Sequence, residues 1–369
     1  MQRIISKTIA LLVLITCTTA CNHSEQSQKN RKANNTVFYE PFNGIYFWRT
    51  TFSVSDEERT FLEANKVDRL YLRLFDVDVA QQNLLSVEEP LPIATLIFPD
   101  SAITAQTTSI VRDIVPVCFI TLSALKQMKG KETEYAEHIV KRMLNMSSYH
   151  GFRDKVTEVQ IDCDWTEKTE DLYFTLLNKV KKLLSKEKVS LSVTVRLHQL
   201  RTTPPPADRG VLMVYNTGSI MNPHTENSIL SLADAAQYLT HSAVERYAIP
   251  LDYALPTFSW GVWFNNEQYM GILHCSDFDN PHYYAMVDST HYKVLHPHIV
   301  EERKLMKGDI IRVEKSNYET ILKIKALLPF NEQTPARPQS VILYHLDEYN
   351  LKEYETDQIE TLYRHSAGS

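Results

Sequence analysis

Asp162 and Asp164 stand one residue apart in the stretch EVQIDCDWTE, Glu158 to Glu167. Two carboxylates so placed can do acid–base work, hold a cation or neutralise a buried base. Side chains alternate along a strand, so Gln160, Asp162, Asp164 and Thr166 share one face. Val159, Ile161, Cys163 and Trp165 share the other, an apolar face suited to lie under helices. The stretch LSVTVRL divides the same way: Leu191, Val193, Val195 and Leu197 oppose Ser190, Ser192, Thr194, Arg196 and His198. An arginine turned inward needs a partner, because an unpaired buried charge costs several kcal/mol. Asp162 and Asp164 are the partners at hand, so an acid–base pair and a charge network around Arg196 both fit.

Other residues could join them. Asp76 and Asp78 close the second strand as FDVD, where paired acids suit acid–base chemistry, a cation or simple loop capping. Trp260 and Trp263 flank the end of the seventh strand, and rings there suit stacking on sugar faces or core packing. Asp347 or Glu348, after Tyr344 and His345, could supply a further acid. His274, His282, His291, His296 and His298 cluster late with Cys275 and Asp277, but their spacing fits no common zinc pattern, so no metal is expected. No phosphate-binding glycine loop, serine elbow or paired-histidine zinc helix occurs, and no cofactor is expected.

The elements that must position these groups alternate. Strand candidates are 44–48, 69–75, 115–121, 158–165, 191–197, 210–216, 251–260 and 340–346. Helical patterns fall between most of them: SDEERTFLEAN with a Ser N-cap, ETEYAEHIVKRMLNMSSY, EDLYFTLLNKVKKLL, NSILSLADAAQYLTHSAVERY and SNYETILKIKALL. This predicts an α/β fold, a somewhat irregular (β/α)8 TIM-like barrel over 40–350, with an open doubly wound sheet as the alternative. LPIATLIF adds a strand after the second, and the Pro-rich QLRTTPPPADR replaces a helix after the fifth. A β-rich insert at 261–316 separates strands seven and eight, with a hairpin turning at Asn265–Asn266 and a strand in KGDIIRVE. Residues 351–369 form a C-terminal tail or helix.

VQIDCDWT resembles the strand-four signature of chitinase-like, family-18 glycosidases, DGxDxDxE, and MVYN (Met213 to Asn216) resembles that family's strand-six M-x-Y-D. The resemblance implies catalytic roles near Asp162 and Asp164, with substrate contacts from Tyr215 and Asn216. Thr166 occupies the position of the family's general acid, Val159-Gln160 that of its first Asp-Gly, and Asn216 that of its second Asp. A threonine hydroxyl is too weak to act as a general acid. Over most of residues 40–350 the chain also resembles a bacterial group of barrel proteins related to glycosidases.

The chain begins with Arg3, Lys7, the short apolar run IALLVLIT and small residues up to Cys21, an export signal over 1–20. It resembles a bacterial lipoprotein leader, which implies lipid on Cys21; cleavage near Ala20 is the alternative. NHSEQSQKNRKANN, within 21–39, reads as a polar tether. Removing two basic leader residues takes the formal charge from −6 to −8, which argues against a nucleic-acid partner. Cys118 and Cys163 lie in apolar strands and read as small buried side chains. The expectation is a lipid-anchored cell-envelope protein, at a bacterial outer membrane, whose barrel binds or processes a glycan. The alternative is a barrel without catalysis that binds carbohydrate or an envelope partner. Oligomeric state is not legible.

Overall fold

The computed structural model describes residues 40–80, 89–274, 278–330 and 339–365. The leader, Cys21, the polar segment, Cys275 and Asp277 lie outside them. Apart from Glu40, the described residues belong to one unit, Pro41–Glu332 with Gln339–Ser369.

The chain first lays down β1 (Asn43–Phe47), β2 (Arg69–Ala80), β3 (Glu89–Ile93), β4 (Asp113–Ile120), β5 (Glu158–Cys163), β6 (Ser190–Arg196), β7 (Arg209–Met213) and β8 (Leu251–Pro256). The insert supplies β9 (Ser259–Asn265), β10 (Gln268–Leu273), β11 (Tyr284–Met286), β12 (His291–Val294), β13 (His298–Val300), β14 (Arg303–Leu305) and β15 (Ile310–Lys315), and β16 (Val341–Tyr344) follows. β1 pairs in parallel with both β2 and β16, so the order β1-β2-β4-β5-β6-β7-β8-β16 returns to its start. The result is a closed barrel of eight parallel strands, as the alternation predicts. Gly210 lets β7 approach its neighbour, since a Cβ there would sit 2.7 Å from Leu251 Cδ2.

Helices cover the barrel, several where the apolar spacing places them and others, at 101–110, 122–127 and 348–351, where no helix was expected. These are α1 (Asp56–Ala64), α2 (Ser101–Ile110), α3 (Leu122–Gln127), α4 (Glu132–Tyr149), α5 (Glu170–Lys186), α6 (Leu232–Ala236), α7 (His241–Glu245), α8 (Tyr318–Lys325), α9 (Glu348–Leu351) and α10 (Thr356–Tyr363). Ser55 caps α1 in a full capping box with Glu58. The periodic stretch 227–247 does not make one helix; it breaks into α6 and α7, each with its own Ser or Thr N-cap. A 3-10 turn, Leu197–Arg201, stands where the Pro-rich loop predicts no helix. The packing runs past residue 350. Tyr363 donates to the Gly44 carbonyl at 3.0 Å, and buried Lys325 Nζ donates to the carbonyls of Thr361, Leu362 and Arg364 at the end of α10. None of the described helices is long and apolar enough to cross a membrane.

Two boundaries move. The extra strand begins earlier than LPIATLIF suggests: β3 pairs antiparallel with the end of β2, from Asp76 opposite Ile93 to Ala80 opposite Glu89. The seventh barrel strand ends at Pro256, and Ser259 starts a separate sheet of order β10-β9-β15-β12-β11. Its hairpin turns at Asn266–Glu267, one residue later than expected, with both residues at positive φ (48° and 63°). β13 and β14 form a small hairpin of their own.

Candidate functional site

Every residue of β5 is buried. Trp165, just beyond it, packs against Tyr173 and Phe174 of α5, with ring centroids 6.0 and 5.3 Å away. The odd-numbered face therefore lies under the helices and the even-numbered face points into the barrel. There Tyr46 donates to Gln160 Oε1 at 2.7 Å, and Gln160 donates to Ser192 Oγ at 3.3 Å. One step nearer the strands' C-terminal ends, Asp162 is 2% exposed. It accepts from Thr194 Oγ1 at 2.5 Å and from Arg196 Nη2 at 3.1 Å. Beyond the end of β5, Asp164 Oδ1 meets Arg196 Nε at 2.5 Å. The third guanidinium nitrogen contacts Met213 Sδ. Arg196 thus ties both aspartates together with all three of its nitrogens engaged.

Burial pushes the Asp162 pKa up, aided by the nearby charge of Asp164, while Arg196 and Thr194 oppose the shift. Burial alone would lower the Arg196 pKa, but the two carboxylates more than reverse it, so the guanidinium stays charged. Burial and Arg196 both lower the pKa of His198, against a smaller upward pull from Asp164. His198 is therefore neutral at pH 7.

Above this network lies a cavity of about 320 Å³ lined by Asp164, Arg196, His198, Tyr215, Asn216 and Tyr238, among others. Tyr215 is 5% exposed, and its buried hydroxyl has no hydrogen-bond partner among the described residues. Such a group costs about 1–3 kcal/mol unless something meets it. Asn216 sits at φ +55°, a left-handed conformation held in part by its own N–H to the Ile229 carbonyl (2.7 Å).

A second ion pair faces the same interior. Arg73 Nε donates to Asp76 Oδ1 at 2.7 Å, Nη2 meets Oδ2, and the guanidinium lies over the Trp48 ring at 5.4 Å. Tyr344 stands between the two pairs, its hydroxyl pKa raised by burial first and then by Asp162, with Arg73, Arg196 and Asp76 also acting on it. Its ring stacks on Tyr215 at 5.1 Å and meets Phe258 edge-on at 5.5 Å. Asp78 turns away to accept from Thr121 Oγ1, the N-cap of α3.

The remaining expected site residues stand further out. Trp260 packs edge-on against Phe258 at 5.1 Å, and its indole donates to buried Glu314 at 2.7 Å. It lines a separate cavity of about 630 Å³ with Phe278, Tyr292 and Tyr349. Trp263 belongs to the core of the insert: it is 8% exposed and donates to Asp309 at 2.7 Å. Asp347 caps α9, accepting from Tyr349 N at 2.9 Å and Asn350 Nδ2 at 3.0 Å, and borders another cavity with Arg49 and Glu58. Thr166 caps the 3-10 turn Glu167–Thr169 and is exposed. Among the described histidines, His282 stacks on His296, His298 bonds Tyr284, and His291 bonds Asp288. No group of three metal-ligating side chains occurs among the described residues. Cys118 and Cys163 are free and fully buried.

Sequence reasoning passed over Tyr238 and the bridging position of Tyr344. Tyr344 carried a usable signal, an aromatic at the last position of a barrel strand; Tyr238, in a loop after α6, carried none.

No protein-family model and no curated protein matches the chain. Solved structures do. A Group IV chitinase from Ostrinia furnacalis matches with a TM-score of 0.52 and 11% identity, over 89% of this chain and 100% of that one. A chitinase from Chromobacterium violaceum gives 0.50 and 12%, over 88% and 98%. The Bacillus cereus spore cortex-lytic enzyme SleL gives 0.50 and 12%, over 87% and 73%. At such identities the likeness is one of fold. The (β/α)8 barrel that the family-18 resemblance implies is the fold these neighbours share.

Proposed function

We propose that the barrel binds a glycan at its C-terminal mouth and does not hydrolyse it by a chitinase-type mechanism. The observation that carries this reading is Arg196. It fills the space beside Asp162 and Asp164 where a glycosidase needs open room and a second, protonatable carboxyl about 5–10 Å away. Of the residues lining the cavity, Asp164 is the one carboxylate, and Thr166 brings only a hydroxyl at the general-acid position. The cavity nonetheless offers a saccharide an unpaired phenol, an acceptor on Asp164 and the amide of Asn216, beside tyrosine rings on which a sugar face can stack.

The test is calorimetric titration with an N-acetylglucosamine hexamer, alongside a hydrolysis assay. Binding should be measurable, with no cleavage. Tyr215→Phe should weaken it about three- to tenfold, the usual worth of one neutral hydrogen bond, without lowering the melting temperature. Cleavage by the wild type at ordinary enzyme rates would overturn the non-catalytic part. Failure to bind any oligosaccharide would overturn the glycan reading.

A further inference from the structure

The charges around the 320 Å³ cavity do not balance. One guanidinium, Arg196, faces two carboxylates, Asp162 and Asp164. Both carboxylates act as acceptors towards it, and burial and Arg196 disfavour a charge on His198. The formal total is therefore −1. Its placement matters more than its size. Each nitrogen of Arg196 already makes one contact, on Asp164, Asp162 and Met213, and the two carboxylates held against it repel an arriving anion. Asp162 is sealed at 2% exposure. Asp164 has a side chain 57% exposed, gives only Oδ1 to Arg196, and has no other partner among the described residues for Oδ2. The open ionic group of the cavity is thus an acceptor with negative charge. Tyr215, whose buried hydroxyl has no hydrogen-bond partner among the described residues, and Tyr238 share the cavity wall. Rings attract cations through their faces. Arg201 lies 5.2 Å from the Tyr238 ring, donates to the Gln237 carbonyl and does not line the cavity.

Resting on the glycan reading above, we infer that the site selects cationic amino sugars, hexosamine units carrying a free ammonium, over N-acetylated and acidic sugars. The ammonium would donate to Asp164 Oδ2, and the Tyr215 hydroxyl would donate to a neighbouring sugar oxygen.

Three oligomers of equal length decide it by calorimetry at pH 6, where a hexosamine nitrogen is protonated: glucosamine hexamer, N-acetylglucosamine hexamer and a hexauronate. The glucosamine hexamer should bind at least about fivefold more tightly than the N-acetylated one, the scale of one partly exposed ion pair. The hexauronate should bind most weakly. Asp164→Asn keeps the side chain's shape and should erase the preference for the free amine, lowering affinity for the glucosamine hexamer at least about fivefold more than affinity for the N-acetylated hexamer. Equal affinity for the amine and its acetamide, tighter binding of the uronate, or a preference that survives Asp164→Asn would each overturn the charge inference and leave the glycan reading standing. If none of the three binds, the glycan reading falls, and this inference with it. A melting curve for Asp164→Asn superimposed on the wild type excludes loss through unfolding.

Discussion

The two ends of the barrel are built from the same ion pairs, and solvent treats them differently. At the N-terminal end, strand starts supply the charges. Arg69 of β2 reaches Glu158 of β5 at 2.8 Å and Asp113 of β4 at 3.2 Å, while Arg209 of β7 reaches Asp252 of β8, which also accepts from Ser340 N at 2.7 Å. The acid side chains there are 7%, 13% and 0% exposed. At the C-terminal end, strand ends supply Arg73, Asp76, Asp162 and Arg196, and one acid, Asp164, stands 57% exposed in a cavity. Each end also holds a buried tyrosine. Tyr71 is sealed among ion pairs, whereas Tyr215 belongs to a cavity wall. Charge inside a barrel is thus no mark of a site in itself. An acceptor left open to a cavity is.

Removing charges should separate the ends. Asp252→Ala removes a fully buried carboxylate that accepts from both Arg209 and Ser340 N, so a loss of about 3–5 kcal/mol is expected in chemical denaturation. A loss below about 1 kcal/mol would mean that water reaches the closed end and the contrast is false.

The same deletion at the open end should cost less. Asp162→Ala leaves Arg196 with Asp164, so about 1–3 kcal/mol is expected rather than the full penalty of an unpaired buried charge. Asp164→Ala should cost no more than about 1 kcal/mol, since that carboxylate is largely solvated. The ordering Asp252, Asp162, Asp164 follows exposure, and an inverted order would show that geometry rather than burial sets these energies.

The sequence made much of this contrast readable. The two-residue period put Asp162 and Arg196 on one interior face, and all eight barrel strands stood out as apolar runs between helical patterns. What stayed hidden came from breaks in periodicity. Arg73 and Asp76 are three residues apart and would face opposite ways on a regular strand; an irregularity in β2 between Arg73 and Phe75 turns them to one side. Trp263 looked like a mouth residue because Pro256 was not read as the end of a strand, and the new strand from Ser259 aims it into the insert. Asp347 followed the last strand closely enough to suggest a second acid, but its backbone starts a helix there and the side chain caps it. Thr217 and Tyr238 lie in loops, where neither period operates, and Asn216 beside them was legible only through the M-x-Y-D resemblance.

The smallest expected effect is the most local. Burial and Arg196 hold the His198 pKa below its ordinary value of 6.5, and Asp164 alone pulls it back up. A histidine with a lowered folded pKa contributes stability that is fully present above its unfolded pKa and is lost as pH falls from there through the folded one. Removing Asp164 takes away the one charge that favours the imidazolium. In Asp164→Asn the NMR titration midpoint of His198 should therefore move further down, and the acid-side loss of stability should start at the same pH and reach slightly further. Asp252→Asn, at the far end, should leave that midpoint where it was. An unchanged midpoint in Asp164→Asn, or an equal change from the far end, would mean that the imidazole and the exposed carboxylate do not face one cavity. The open end would then be a set of separate surface groups.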